Sequence, residues 1–257
     1  MKILGIETSC DDTSAAVVEN GVDVISNIVS SQIKIHRKYY GIVPELAARQ
    51  HLKNINFVID KALVPTKKID AVAVTTGPGL IGSLFIGTTT AQAIANILNI
   101  PIINVNHIEG HIFSNFLKSN CLHTAQSKLK MPFIALVVSG GHTDLILVKS
   151  IGVYKVLGRT RDDAVGEAFD KVAKFLDLGY PGGPIIDKLS RTGNPKKVKF
   201  TRAYLPKSWD FSFSGIKTAV IYYVNKNKSK IKSPSFIADL CASFQQCCVD
   251  ILVRKTI

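Results

Sequence analysis

The chain has no uninterrupted apolar run near the ~20 residues that a membrane span needs. That reading excludes a transmembrane anchor. The first residues, Met1 to Glu7, meet an acid too early for the apolar stretch of a secretory signal. The five cysteines, Cys10, Cys121, Cys241, Cys247 and Cys248, form no Cys-x-x-Cys pair and no even framework. A disulfide scaffold and a zinc ribbon are thereby excluded, and a reducing cytoplasmic compartment is expected. Acids are scarce, 19 against 32 Lys and Arg. What is present is a core: 46% of the 257 residues are hydrophobic, enough for one large domain or two ordinary ones and too many for a disordered chain.

The formal net charge is +13 and the isoelectric point about 9.5. Such a balance fits a partner carrying phosphates, most simply nucleic acid; the bland alternative is drift in a Lys-, Ile- and Asn-rich chain. One stretch is basic locally. From Lys188 to Lys232 there are Arg191, Lys196, Lys197, Lys199, Arg202, Lys207, Lys217, Lys226, Lys228 and Lys230 but a single acid, Asp210.

Hydrophobic patterning predicts an order of elements. Apolar Ile3–Ile6, a polar turn over 7–13 and apolar Ala15–Val18 read as strand, turn, strand. Asn20-Gly21 is a hairpin signal, and Val24–Val29 a third strand. Pro44 opens a helix through Leu63. Ile69–Val74 is a strand running into Thr-Thr-Gly-Pro-Gly, followed by a helix of small residues through Leu98. A strand over Ile100–Val105 and a helix starting at His107 follow. The opening pattern then returns: apolar Phe133–Val138, the turn Ser139-Gly140-Gly141-His142-Thr143, apolar Leu145–Val148 and a third strand over Val153–Leu157.

An internal duplication is the economical reading, with domains over 1–131 and 132–257. The second half continues with a helix over Asp163–Leu176, a Gly/Pro loop over 179–184, the basic segment, and a helix from about Ser235 to Ile257. Nothing in it matches the strands at 69–74 and 100–105, so the second domain is expected to lack its last strand–helix units. Paired α/β domains of this form resemble the actin, sugar-kinase and heat-shock ATPase superfamily. In that arrangement the turns at 7–13 and 139–143 face a cleft and hold phosphates through backbone N–H groups.

Two residue sets could carry chemistry. His107 and His111 stand four apart on one helix face and can reach one metal ion. They are a partial site, and they are not His-Glu-x-x-His, because Ile108 follows His107 and the acid is Glu109. Ordinary helix histidines are the alternative. In the second half, paired glycines after a strand let backbone approach an anion, with Ser139 and Thr143 adding hydroxyls; a plain hairpin has the same composition. Asp170 could accept from ribose hydroxyls or simply face solvent. Asp187 reads as an acid beginning a helix.

The motif series as a whole resembles one family. It runs Gly5-Ile6-Glu7-Thr8-Ser9-Cys10-Asp11-Asp12-Thr13, Val43-Pro44-Glu45-Leu46-Ala47 with Arg49 and His51, Gly77-Pro78-Gly79-Leu80, and Asn106-His107 with Gly110-His111. It continues with Val138-Ser139-Gly140-Gly141-His142-Thr143, Gly166-Glu167-Ala168-Phe169-Asp170-Lys171, Tyr180-Pro181-Gly182-Gly183 and Phe211-Ser212-Phe213-Ser214-Gly215-Ile216-Lys217-Thr218. This closely resembles the TsaD family of tRNA threonylcarbamoyladenosine transferases, formerly described as O-sialoglycoprotein endopeptidases.

The resemblance implies transfer of a threonylcarbamoyl group from its adenylate to N6 of the adenosine 3′ of the anticodon, in tRNAs reading ANN codons. It implies one divalent metal ion, iron or else zinc, on His107 and His111. It implies an adenylate-binding set of Val137, Val138, Ser139, Gly140, Gly141, Asp170, Gly183 and Asp187, and an acid at Asp11. Its implied partners are tRNA, a TsaB-like paralogue and a TsaE-like ATPase, with no membrane. Two departures stand out. Tyr40 occupies a family glycine position, and the family's third metal ligand, an Asp, and a nucleotide-contacting Asn belong beyond Ile257. The alternatives are therefore a non-enzymatic member of the modification complex or the older metalloendopeptidase reading.

Overall fold

A computed structural model describes residues 1–66, 68–118 and 130–257. Cys121 lies outside the described residues. The chain divides into two compact units, Met1–Leu129 and Lys130–Ile257.

The first unit is built on an antiparallel meander of β1 (Lys2–Glu7), β2 (Asp12–Glu19) and β3 (Asp23–Ser31). The β2–β3 turn is the expected one: Asn20 and Gly21 both take positive φ, 53° and 77°, as a primed hairpin turn demands. A short helix α1 (Ile33–His36) and a 3₁₀ turn lead to α2 (Pro44–Leu63), with Pro44 in its first turn. Then come β4 (Ala71–Gly77), α3 (Ile81–Leu98), β5 (Ile102–Asn106) and α4 (His107–Phe113). Strand order is β3-β2-β1-β4-β5, with β4 parallel to β1 and β5 parallel to β4. Leu4, Ile6, Val17, Val58 and Val74 are buried in its core.

Tyr40 sits in the left-handed region at φ 53°, ψ 33°, a conformation that costs an ordinary side chain about 1–2 kcal/mol.

The second unit opens with a second antiparallel meander, β6 (Phe133–Val138), β7 (Thr143–Ser150) and β8 (Val153–Arg159), in the order β6-β7-β8. Four helices pack with it: α5 (Val165–Phe175), α6 (Gly182–Ser190), α7 (Ser214–Lys226) and α8 (Pro234–Thr256). Phe211, Phe213, Phe244, Leu145, Ile186 and Leu240 are its largest buried side chains. Among the described residues this sheet has three strands, and β6 is at its edge.

Four expectations need correction. The Gly/Pro stretch is not all loop, because α6 begins at Gly182 and takes in Gly183 and Pro184. Asp187 is therefore inside a helix rather than at its start. The basic segment contains a helix, α7, that the charge run concealed. Helices α3 and α8 also reach the length and apolar composition of a membrane span. In α8, however, Leu240, Phe244, Cys247 and Cys248 are buried in the core, and α3 is interrupted by Thr88, Thr89, Gln92 and Asn96.

Candidate active site

Parallel strands bring the residues at their carboxyl ends side by side, and ligand sites of open α/β sheets lie at that edge. In the first unit β1 ends at Glu7, β4 passes through Thr75, and β5 ends at Asn106, which caps α4. The Asn106 side chain accepts from Ile108 N at 2.9 Å and Glu109 N at 3.3 Å, fixing the helix that begins with His107. Glu7 is the hub. Its carboxylate accepts from Thr75 Oγ1 at 2.7 Å, His107 Nδ1 at 3.0 Å and the Ser9 backbone N–H. Burial pushes the Glu7 carboxyl up, but hydrogen bonds from His107, Ser9 and Thr75 outweigh it and hold it at about 2.

An ionised Glu7 keeps the proton of His107 on Nδ1. Nε2 then presents a lone pair, and His111 Nε2 lies 3.1 Å from it. The rings meet edge to face with centroids 4.5 Å apart. The helix thus converges two ring nitrogens on one point, and a carboxylate behind one of them fixes its tautomer, as at metal-bound histidines generally. Among the described residues no group of three or more His, Cys, Asp and Glu is arranged to hold a metal ion, so neither Asp11 nor Glu109 completes such a set.

Asp11 lies in the turn between β1 and β2. Burial, then the charge of Asp12, raises its carboxyl above the usual range. The turn is pinned from both sides. Leu80 N donates to Ser9 O at 2.8 Å, Thr8 Oγ1 donates to Ser83 O at 2.8 Å, and Gln32 N donates to Asp11 O at 3.2 Å. His51, fully buried on α2, bonds Thr13 Oγ1 through Nδ1 at 2.8 Å and Cys10 O through Nε2 at 3.0 Å. Asp11 makes no hydrogen bond to His107 or His111 among the described residues.

In the second unit the glycine turn is braced by α5. Val165 N donates to Thr143 Oγ1 at 2.9 Å and Gly166 N to Ser139 O at 3.2 Å. Gly166 must be glycine, since a Cβ there would stand 2.5 Å from Ser139 O and 2.8 Å from Gly140 Cα. Ser139 Oγ accepts from Gly141 N at 3.3 Å and His142 N at 3.1 Å. Beyond the turn there is room: a Cβ on Gly140, Gly141 or Gly183 meets nothing within 4 Å.

The remaining residues of the set follow in a strip. Asp170 is one helical turn after Gly166 on α5, and its Oδ1 accepts from Gly182 N at 2.7 Å, so it caps α6 instead of only facing solvent. Gly182 has no space for a side chain, with Asp170 Cα 2.8 Å from its would-be Cβ. Asp187 is one turn after Gly183 on α6 and is held by Arg191 at 2.7 Å and by Gln245 Nε2 at 3.1 Å. Val137 is buried at the end of β6, and Val138 beside it is exposed.

The structure thus ties the Ser139 turn to α5 through Gly166, ties α5 to α6 through Asp170 and Gly182, and pairs His107 with His111. Glu7, Gly166 and Gly182 stand in the motif series without a site role of their own, and Thr75 and Gln245 carry no sequence signal of one. A signal existed for Glu7: it and His107 each follow an apolar strand run, and parallel neighbours align such positions.

The sequence model of the family described as "TsaD: tRNA N6-adenosine threonylcarbamoyltransferase" matches residues 23–257. The chain belongs to this family. It is 50% identical over 264 residues to tRNA N6-adenosine threonylcarbamoyltransferase of Endomicrobium trichonymphae, covering 100% of this chain and 75% of the relative. It is 49% identical to the enzyme of the same name from Clostridioides difficile (strain 630), covering 99% and 74%. The chain spans about three quarters of the length of these TsaD relatives. Among solved structures, component A of the Acidaminococcus fermentans (R)-2-hydroxyglutaryl-CoA dehydratase aligns with TM-score 0.50 and 14% identity, covering 99% of this chain and 77% of that one. That likeness shows the fold: α/β, of the actin-like ATPase type. The TsaD relatives are transferases that act on tRNA, and this chain is of that enzyme class.

Proposed function

We propose that this TsaD-family chain transfers the threonylcarbamoyl group from threonylcarbamoyl-adenylate to N6 of the adenosine 3′ of the anticodon, in tRNAs reading ANN codons. The carrying observation is the convergence of His107 and His111 with Glu7 behind them, in a chain whose other unit holds a braced glycine turn. In the reaction the N6 nitrogen forms a bond to the carbamoyl carbon. The bond from that carbon to the phosphate oxygen breaks, and AMP leaves with the electron pair. The amine proton passes to a base. Asp11, its carboxyl raised by burial, is the proposed acceptor.

The donor set suits a divalent transition metal: two ring nitrogens 3.1 Å apart, one on an imidazole whose tautomer Glu7 fixes, are ligands of the kind iron or zinc takes. His107 and His111 would hold it, and the ion would polarise the carbonyl under attack. Glu7 positions His107. In the second unit the Gly140 N–H, with no acceptor among the described residues, and the neighbouring turn receive the phosphate. Asp170 and Asp187 flank the strip that takes the ribose. Holding the adenylate in one orientation lowers the entropic cost of the displacement.

A TsaB-like paralogue is the proposed partner of the first unit, and a TsaE-like ATPase of the complex; cytoplasmic location follows from that reading. Helices α2 and α3 cross where Gly82 approaches Ala48. On these two helices Leu52, Phe57, Ile81 and Phe85 are 60–87% exposed, apolar side chains that a partner could cover.

The test supplies the purified chain with an ANN-reading tRNA, threonine, bicarbonate, ATP, the adenylate-making enzyme and the two partners. Mass spectrometry of the nucleosides should show the modified adenosine, and His111→Ala should abolish it. Metal content should fall with His107→Ala and His111→Ala, and Glu7→Gln should weaken metal affinity about 10–100-fold. Absence of the modified nucleoside with all components present would overturn the proposal.

A further inference from the structure

The basic segment, which the site above does not use, is concentrated beyond what composition explains. Residues 188–232 hold twelve of the 32 basic residues and one of the 19 acids, so this stretch carries eleven of the thirteen net positive charges. The rest of the chain is nearly balanced, 20 against 18. Drift in base composition would have spread the excess evenly.

The fold gathers these charges rather than dispersing them. The strap 193–200 is fastened along α8. Asn194 N donates to Asp239 Oδ1 at 2.7 Å, Val198 N donates to Ser243 Oγ at 3.1 Å, and Gly193 lies so close that a Cβ would stand 2.0 Å from Ala238 O. At the strap's end Phe200 meets Tyr223 of α7 edge to face at 6.3 Å, and Tyr223 stacks on Phe236 of α8 at 5.8 Å. This aromatic file locks the strap, the last turns of α7 and the start of α8 side by side. Lys196, Lys197 and Lys199 on the strap, and Lys226, Lys228 and Lys230 at and after the end of α7, are all exposed. Among the described residues none of the six has an acidic partner, whereas Arg191, Arg202 and Lys217 of the same segment pair with Asp187, Asp250 and Asp163. Next to them Tyr222 is 62% exposed, with Lys226 Nζ 4.4 Å from its ring centre.

We propose that this face, formed by the strap and the end of α7, is where the second unit grips the phosphate backbone of tRNA, with Tyr222 available to stack on an unpaired base. The proposal rests on the tRNA-modifying reading above and adds the surface to it. Unpaired, exposed lysines on a preorganised support release counterions when they meet phosphates, and exposed aromatics beside cations suit unstacked bases. Two basic rows separated by an aromatic file fit a polyanion better than a single small phosphate.

The test measures anisotropy of fluorescent tRNA with the full chain from 50 to 300 mM KCl. In Lys196→Ala/Lys197→Ala/Lys199→Ala the affinity should fall about tenfold or more, and the slope of log K against log salt should flatten by about two to three. Lys226→Ala/Lys228→Ala/Lys230→Ala should behave alike. A charge-matched control in the first unit, Lys34→Ala/Lys38→Ala/Lys53→Ala, should change affinity less than about twofold. Equal losses in all three would mean bulk charge alone and overturn the proposal. So would unchanged tRNA binding in the first two, including the case where they lose binding to phosphatidylglycerol vesicles instead. A chain that binds no tRNA at any salt would sink the functional reading itself.

Discussion

Two glycines 26 positions apart, Gly140 and Gly166, should respond oppositely to the same methyl group. At Gly166 an added Cβ would lie 2.5 Å from Ser139 O and 2.8 Å from two further backbone atoms. Backbone cannot swing aside as a side chain can, so the turn or α5 must shift by most of an ångström. Such overpacking costs about 1–3 kcal/mol, against a gain of at most about 1 kcal/mol from replacing glycine by alanine in a helix. Gly166→Ala should therefore be destabilising by about 1–2 kcal/mol and lower Tm by roughly 3–8 °C. It should also weaken AMP binding, because the turn moves. At Gly140 the Cβ meets no protein atom within 4 Å. Gly140→Ala should leave Tm unchanged, yet the methyl would occupy the space through which a phosphate approaches the backbone. Loss of one or two hydrogen bonds there is worth about 1–3 kcal/mol, or roughly 10–100-fold in Kd. Thermal melts and calorimetric titration with AMP separate the two outcomes. If Gly140→Ala binds AMP like the parent chain, the turn is not the phosphate site. If Gly166→Ala melts like the parent, the steric argument is wrong.

Three further outcomes are expected. Burial lowers the pKa of His51 below its ordinary 6.5. The unfolded chain then binds the extra proton first, so stability is full above about pH 6.5 and falls as pH drops through that value; chemical denaturation from pH 7.5 to 5 should show the decline, and His51→Gln should flatten it. Asp162 caps α7 by accepting from Phe213 N at 2.8 Å and Ser214 N at 3.2 Å, and also from the Ser212 and Ser214 hydroxyls. Asp162→Ala should cost about 1 kcal/mol in urea unfolding, and no change in midpoint would refute the capping role. Tyr40→Gly should stabilise the first unit by about 1 kcal/mol, read as a higher Tm, because glycine takes the left-handed conformation without steric cost.

Much of the fold was legible because its elements announce themselves locally. Pro44 marks the start of α2, Asn20-Gly21 forces a primed turn, and apolar runs of four to six residues become β1, β4 and β6. Helix α7 was not legible. Lys217 and Lys226 made the stretch look like a charged connector, although Ile216, Val220 and Val224 form the stripe that it buries. Asp170 looked like a solvated helix residue because its partner is a backbone N–H twelve positions away, which no side-chain pattern records. The histidine pair was visible at spacing four. Its orienting carboxylate was not, since Glu7 and His107 meet only through the parallel register of β1, β4 and β5. The close approaches at Gly166 and Gly182 are likewise properties of packing: a glycine in a helix reads the same whether it faces open space or another backbone.

The strand order of the first unit also has a timetable. Strand β1 pairs with β2 through a tight turn but with β4 only across 68 positions, Ile3 against Ala71. At about 5–20 residues per second, β4 leaves the ribosome roughly 3–14 seconds after β1. During that interval the meander can close, because its contacts are local, while the other side of β1 is an open ladder flanked by Leu4 and Ile6. The edge that later positions Glu7 beside Thr75 is thus satisfied well after the other side of β1 and stays exposed to wrong pairing in the meantime.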